Sequence, residues 1–152
     1  MERKAENGNK TAEEYRAYYE TGYKTDVSKI TINAENNTMC FVKNGVEATA
    51  AYQYEGYQIY DYKSSSRGVR YFFEATDGDA DAPKYVQFSD HGIAPGKAEH
   101  FHIYFGNEGF DALSQEMENW PTYYPMDMSG EEIKEDMLEH AEKEYDEHVC
   151  CR

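Results

Sequence analysis

The chain has 152 residues, 39% of them hydrophobic and 30% charged, which fits one domain around a real core. Thirty acidic residues against 15 basic ones give a formal charge of −15, which excludes a nucleic-acid binder and an anionic membrane surface, since both need clustered Lys and Arg. The three cysteines, Cys40, Cys150 and Cys151, make neither an even disulfide framework nor a C-x-x-C thiolate site.

The N-terminal MERKAENGNK has no apolar h-region and no stretch is long enough to span a bilayer, so neither a signal peptide nor membrane insertion is expected in this chain. The acidic excess suits a protein that meets cations, although solubility alone accounts for it.

The first expected element is a helix over about 12–21. Thr11 and Glu14 form a T-x-x-E capping box, Gly22 stands where a helix would stop, and Tyr15, Tyr18 and Tyr19 share one face. The period then changes. DVSKITIN, TMCFVK, VEATAAYQY, YQIYDYK, VRYFFEA, KYVQF and EHFHIYF read as seven strands. Turn chemistry separates them at Asn36-Asn37, Asn44-Gly45, Gly56, 64–68 and 77–83, and Asn44-Gly45 is the strongest hairpin signal. Many tyrosines, 15 in all, suit strands with one wet face.

After Gly106 the spacing turns helical. Phe110, Leu113, Met117 and Trp120 predict a helix over about 108–119, ended by Pro121. Ser129 and Glu132 form a second capping box, opening a helix over about 130–146 with Ile133, Met137, Ala141 and Tyr145 as its apolar stripe. The expected fold is a single domain over 1–152, mostly β with flanking α-helices: an antiparallel barrel or strongly curled sheet.

The chemistry concentrates in FSDHGIAPGKAEHFHIYFG, residues 88–106. In a strand, His100 and His102 point to one face, about 7 Å apart at Cα, while Phe101, Ile103 and Phe105 occupy the other. Imidazoles at that separation converge on one ion at about 2.0–2.1 Å from each nitrogen. His91 lies one short turn away, because Gly92, Pro95 and Gly96 let the chain reverse. Three histidines then fill three corners of a tetrahedron. Surface histidines at a strand end are the bland alternative, and Asp90 is either an orienting carboxylate or a turn residue.

Other motifs are weaker. DGDADAPKYVQF places Asp77, Asp79 and Asp81 like the start of a calcium loop, but Ala82 and Phe88 stand where Gly and Glu are needed. His140 and His148 lack an H-E-x-x-H context and read as a solvated helix face; Cys150-Cys151 reads as a frayed tail. A three-histidine site also admits a zinc hydrolase or hydratase through metal-bound water, and a barrel admits a small apolar-ligand carrier.

GVRYFFEATDGDADAPKYVQFSDHGIAPGKAEHFHIYFGNEG followed by MENWPTYYPMDMSGEEI resembles the ZinT (YodA) family, as do YRAYYETGYKTDVSKITI and YEGYQIYDYKS, over about 4–138. The resemblance implies a lipocalin-like, or calycin, barrel that binds zinc and accepts cadmium. It implies a periplasmic or cell-surface setting and no enzymatic role. It also implies a zinc ABC transporter, through its solute-binding protein or domain, as the recipient of the zinc. The family's metal histidines fall on His91, His100 and His102. Two features depart from the family. The usual N-terminal strand segment is missing before MERKAENG, so a barrel short of one strand is expected, with a homodimer as one way to cover the edge. The family's histidine-rich stretch is also missing.

Overall fold

The computed structural model describes residues 10–61, 67–90, 100–116 and 118–143. Helix α1 (Ala12–Gly22) starts on the expected capping box: Thr11 Oγ1 accepts the Glu14 N–H at 3.2 Å, and Glu14 Oε2 accepts the Thr11 N–H at 2.7 Å. Seven strands follow: β1 (Val27–Asn33), β2 (Thr38–Lys43), β3 (Val46–Asp61), β4 (Arg67–Gly78), β5 (Tyr85–Asp90), β6 (Phe101–Gly106) and β7 (Thr122–Tyr123). Helix α2 (Phe110–Gln115) lies between β6 and β7, and α3 (Gly130–Lys143) follows β7. The strands pair antiparallel in chain order, an up-and-down meander curled into a nearly closed barrel. This is the lipocalin-like, mostly β architecture expected.

The strand count agrees with expectation, but the strands differ. VEATAAYQY and YQIYDYK are one continuous strand, β3. Gly56, with φ of 115°, forms a bulge where the β3–β4 register shifts, rather than a turn. Strand β7 was missed. Asn44-Gly45 makes the expected two-residue hairpin, with φ of 50° and 79° and Lys43 opposite Val46.

The helix expected over 108–119 is corrected to six residues. Glu116 is extended, and its Oε1 accepts the N–H groups of Glu118 and Asn119 at 2.8 and 2.9 Å. Asn119 Nδ2 donates to the carbonyls of Thr21, Gly22 and Lys24 at 3.0, 3.3 and 2.8 Å, tying this segment to the end of α1. Pro121 also disfavours helix at Trp120. The seam between the barrel's first and last strands is joined by side chains: Tyr123 Oη lies 3.0 Å from Thr25 Oγ1 and donates to Val27 O at 3.2 Å.

The core inside the sheet is Val27, Met39, Phe41, Tyr52, Val86 and Ile103 with smaller alanines. Phe101, Ile103 and Phe105 face this core, as the alternation in β6 required. Asp77 ends β4 next to Gly78, and Asp79 and Asp81 belong to the β4–β5 connection. There Asp79 Oδ2 accepts the Thr49 N–H at 2.8 Å, so that aspartate holds a turn together.

Candidate metal centre

The opposite face of β4–β6 carries the polar residues. The register places Arg70 opposite Ser89, Ser89 opposite His102 and His102 opposite Thr122, so these residues share one face. His100, next to the start of β6, completes the pair, with ring centroids 5.4 Å apart. His102 is buried, 5% exposed, and the side chain of His100 is 10% exposed.

Three elements cover them. Trp120 packs edge-on to His102 at 5.6 Å, Tyr124 lies 5.4 Å from the His100 ring, and Asp136 of α3 reaches His100. Trp120 sits in an aromatic nest from α1 and its cap: Tyr18, Tyr19 and Tyr23 at 5.6, 5.7 and 4.7 Å. The tyrosine face of α1 therefore holds Trp120 over the histidines. Gly22 permits this closeness, because a Cβ there would overlap the indole. It is the last helical residue rather than a stop signal, and its lack of a side chain serves packing.

Side-chain oxygens lie against both rings. Thr122 Oγ1 lies within hydrogen-bond distance of Trp120 O, at 3.2 Å. It also lies 2.9 Å from His102 Nδ1, a hydrogen bond between the hydroxyl and the ring. His100 also turns Nδ1 to an oxygen, Asp136 Oδ2 at 3.3 Å, which also accepts from Tyr124 Oη at 3.3 Å. Each ring thus has a side-chain oxygen beside its Nδ1. This arrangement orients metal-binding histidines.

Sequence reasoning found the two histidines and missed their supports, Thr122, Trp120 and Asp136. The apolar stripe expected on α3 is corrected: Met137 is 39% exposed and Asp136 is buried at 8%. The Ser129–Glu132 capping box is present, with Glu132 Oε2 accepting the Ser129 N–H at 2.7 Å. His91, Tyr145, His148, Cys150 and Cys151 lie outside the described residues, as do the side chains of Asp90, His140 and Ala141. Among the described residues, no three His, Cys, Asp or Glu side chains are placed to hold an ion. No helix among them is long and apolar enough to cross a membrane.

Fold and face together define a lipocalin-like domain with a largely buried pair of oriented imidazoles. The family model for ZinT (YodA), described as periplasmic lipocalin-like zinc-recruitment, matches residues 1–140, and the chain belongs to that family. It is 56% identical over 133 residues to the zinc-binding lipoprotein AdcA of Streptococcus pneumoniae, covering 88% of this chain and 26% of that protein. It is 48% identical over 133 residues to the probable metal-binding protein YrpE of Bacillus subtilis, covering 88% of this chain and 52% of that one. The chain thus spans about a quarter of the AdcA length and about half of YrpE. The crystal structure of the Zn(II)-bound ZinT-like domain of S. pneumoniae AdcA matches with a TM-score of 0.78 at 55% identity, over 90% of this chain and 76% of that one.

Proposed function

We propose that this domain binds one zinc ion as cargo on His91, His100 and His102, and passes it on within a zinc uptake system of the ABC type. The observation that carries the reading is the neighbouring pair His100 and His102, with ring centroids 5.4 Å apart and a side-chain oxygen beside Nδ1 of each ring. The low exposure of both rings beside one another makes a site that excludes competing solvent ligands. Ser89 stands opposite His102 and is two residues before His91 in the sequence, which supports His91 as third ligand. The Zn(II)-bound state of the AdcA ZinT-like domain and the zinc-binding names of the AdcA proteins support zinc.

In this reading His100 and His102 supply lone pairs, Thr122 and Asp136 hold the rings in place, and the Trp120 nest keeps the face closed. Three neutral ligands leave one tetrahedral position for an exchanging group, which suits transfer. The role is binding and delivery rather than catalysis. The setting is the cell surface or periplasm, and the recipient is the solute-binding protein or domain of a zinc transporter. Cadmium, a softer divalent ion, is accepted at the same site. Chelator-competition titration tests the reading: the wild type takes up one zinc per chain, and His100→Ala/His102→Ala and His91→Ala lose at least about a hundred-fold in affinity. Equal affinity in the double variant contradicts it.

A further inference from the structure

The face that carries the histidines also carries a buried cation. Arg70 of β4 is 7% exposed, and the register sets it two strands from His102 on the same face. At about 4.8 Å per strand, the two Cα atoms are on the order of 10 Å apart. The guanidinium lies 4.1 Å from the centre of the Tyr104 ring, and Tyr104 follows His102 by two residues on that face. Its Nη1 donates to Gln87 Oε1 at 3.2 Å and to Leu113 O at 2.9 Å. Gln87, fully buried, donates to Phe110 O and Ser114 Oγ at 2.9 and 3.0 Å, so the pair also clamps α2 to the sheet.

Every one of these partners is neutral. Among the described residues, no carboxylate lies within ion-pair distance of Arg70. Burying a charge without a counter-charge is costly, and a neutral amide would make similar bonds to a carbonyl and an amide oxygen without that cost. The ring faces of Tyr104 and Tyr60, with centres 4.1 and 5.4 Å from the guanidinium, offset part of that cost and hold the charge on this face.

We propose that Arg70 is an electrostatic release element: its fixed positive charge, held on the buried face of His100 and His102, weakens the hold on a divalent cation and speeds its departure. The inference rests on the zinc reading above and adds a residue that tunes it. Neutral imidazoles do not cancel the charge of the ion, so the repulsion from Arg70 is opposed chiefly by Asp136 beside His100. Charges of +1 and +2 about 12 Å apart in a medium of effective dielectric about 20–40 repel enough to change affinity by at least about ten-fold. A carrier that must surrender its ion gains from such a charge, whereas a site built for permanent retention does not.

Zinc affinity and zinc dissociation rate, measured by chelator competition in the wild type and three variants, separate charge from clamp. Arg70→Gln removes the charge. Gln87→Glu keeps the guanidinium and neutralises it from the position of Oε1, so it reports even if Arg70→Gln does not fold. Gln87→Leu breaks the clamp on α2 and keeps the charge. Arg70→Gln and Gln87→Glu are expected to bind about ten-fold more tightly and to release more slowly. The factor is expected to be the same for zinc, cobalt and cadmium, because it depends on ionic charge and not on ligand preference. Gln87→Leu is expected not to bind more tightly. Unchanged or weaker binding in both neutralised variants, or equal tightening in Gln87→Leu, overturns the proposal and leaves zinc binding standing. A wild type that takes up no zinc overturns the zinc reading itself.

Discussion

Gly22→Ala tests the contact that holds the lid over the histidines. The added Cβ falls on the six-membered part of the Trp120 indole, whose atoms are its three nearest neighbours. Trp120 is 4% exposed and ringed by Tyr18, Tyr19, Tyr23 and His102, so it has little room to move. Overpacking of this kind costs about 1–3 kcal/mol. At about 2–4 °C per kcal/mol for a domain of this size, the melting temperature falls by roughly 2–12 °C. The chain's single tryptophan makes its fluorescence a direct reporter of the nest. Trp120→Phe removes the overlapped atoms, so in that background Gly22→Ala is expected to be neutral or slightly stabilising, since Ala is the better helix former. The two substitutions then couple by at least about 1 kcal/mol in a double-mutant cycle. A Gly22→Ala protein as stable as wild type, or purely additive effects, refutes the packing argument.

Two further predictions concern single hydrogen bonds. Thr122→Val keeps the shape beside His102 but removes the hydroxyl bonded to Nδ1, and zinc affinity is expected to fall about 10–100-fold with little change in melting temperature; unchanged affinity means Thr122 does not orient the ring. Tyr52 Oη donates to Pro83 O at 2.6 Å, and burial pushes its phenol up to about 12 from an ordinary value of 10.0. The unfolded chain therefore ionises this tyrosine first as pH rises, so its contribution is intact below pH 10 and is lost between 10 and about 12. Tyr52→Phe is expected to cost about 0.5–1.5 kcal/mol at neutral pH and to flatten this alkaline loss in denaturant midpoints; an unchanged slope contradicts the assignment.

The sheet and its histidine pair were legible because they follow from local rules. Period-2 alternation in EHFHIYF sends Phe101, Ile103 and Phe105 to the core and the histidines to the other face, whatever surrounds them. Asn44-Gly45 specifies its hairpin through two positive φ angles. Gly56 was ambiguous because a glycine with positive φ serves a turn and a bulge equally well, and only pairing of β3 with β4 through both halves decides it. Strand β7 has two residues, too few for any period. Asp136 was invisible for another reason: α3 carries acids on several faces, and nothing in EEIKEDMLE marks the one that turns inward to His100. Trp120 looked like the last residue of a helical stripe, whereas Asn119 and Pro121 take it off the helix and onto Gly22. Long-range contacts of that kind leave no local signature.

The central claim is that zinc is held by imidazoles on the β6 face. X-ray absorption at the zinc edge of the stoichiometrically loaded wild type tests it most directly. The expected first shell is three imidazole nitrogens and one further light atom at about 2.0–2.1 Å, with one imidazole lost in each of His91→Ala, His100→Ala and His102→Ala. A sulfur shell at about 2.3 Å, or a shell of oxygens unchanged by these substitutions, contradicts it.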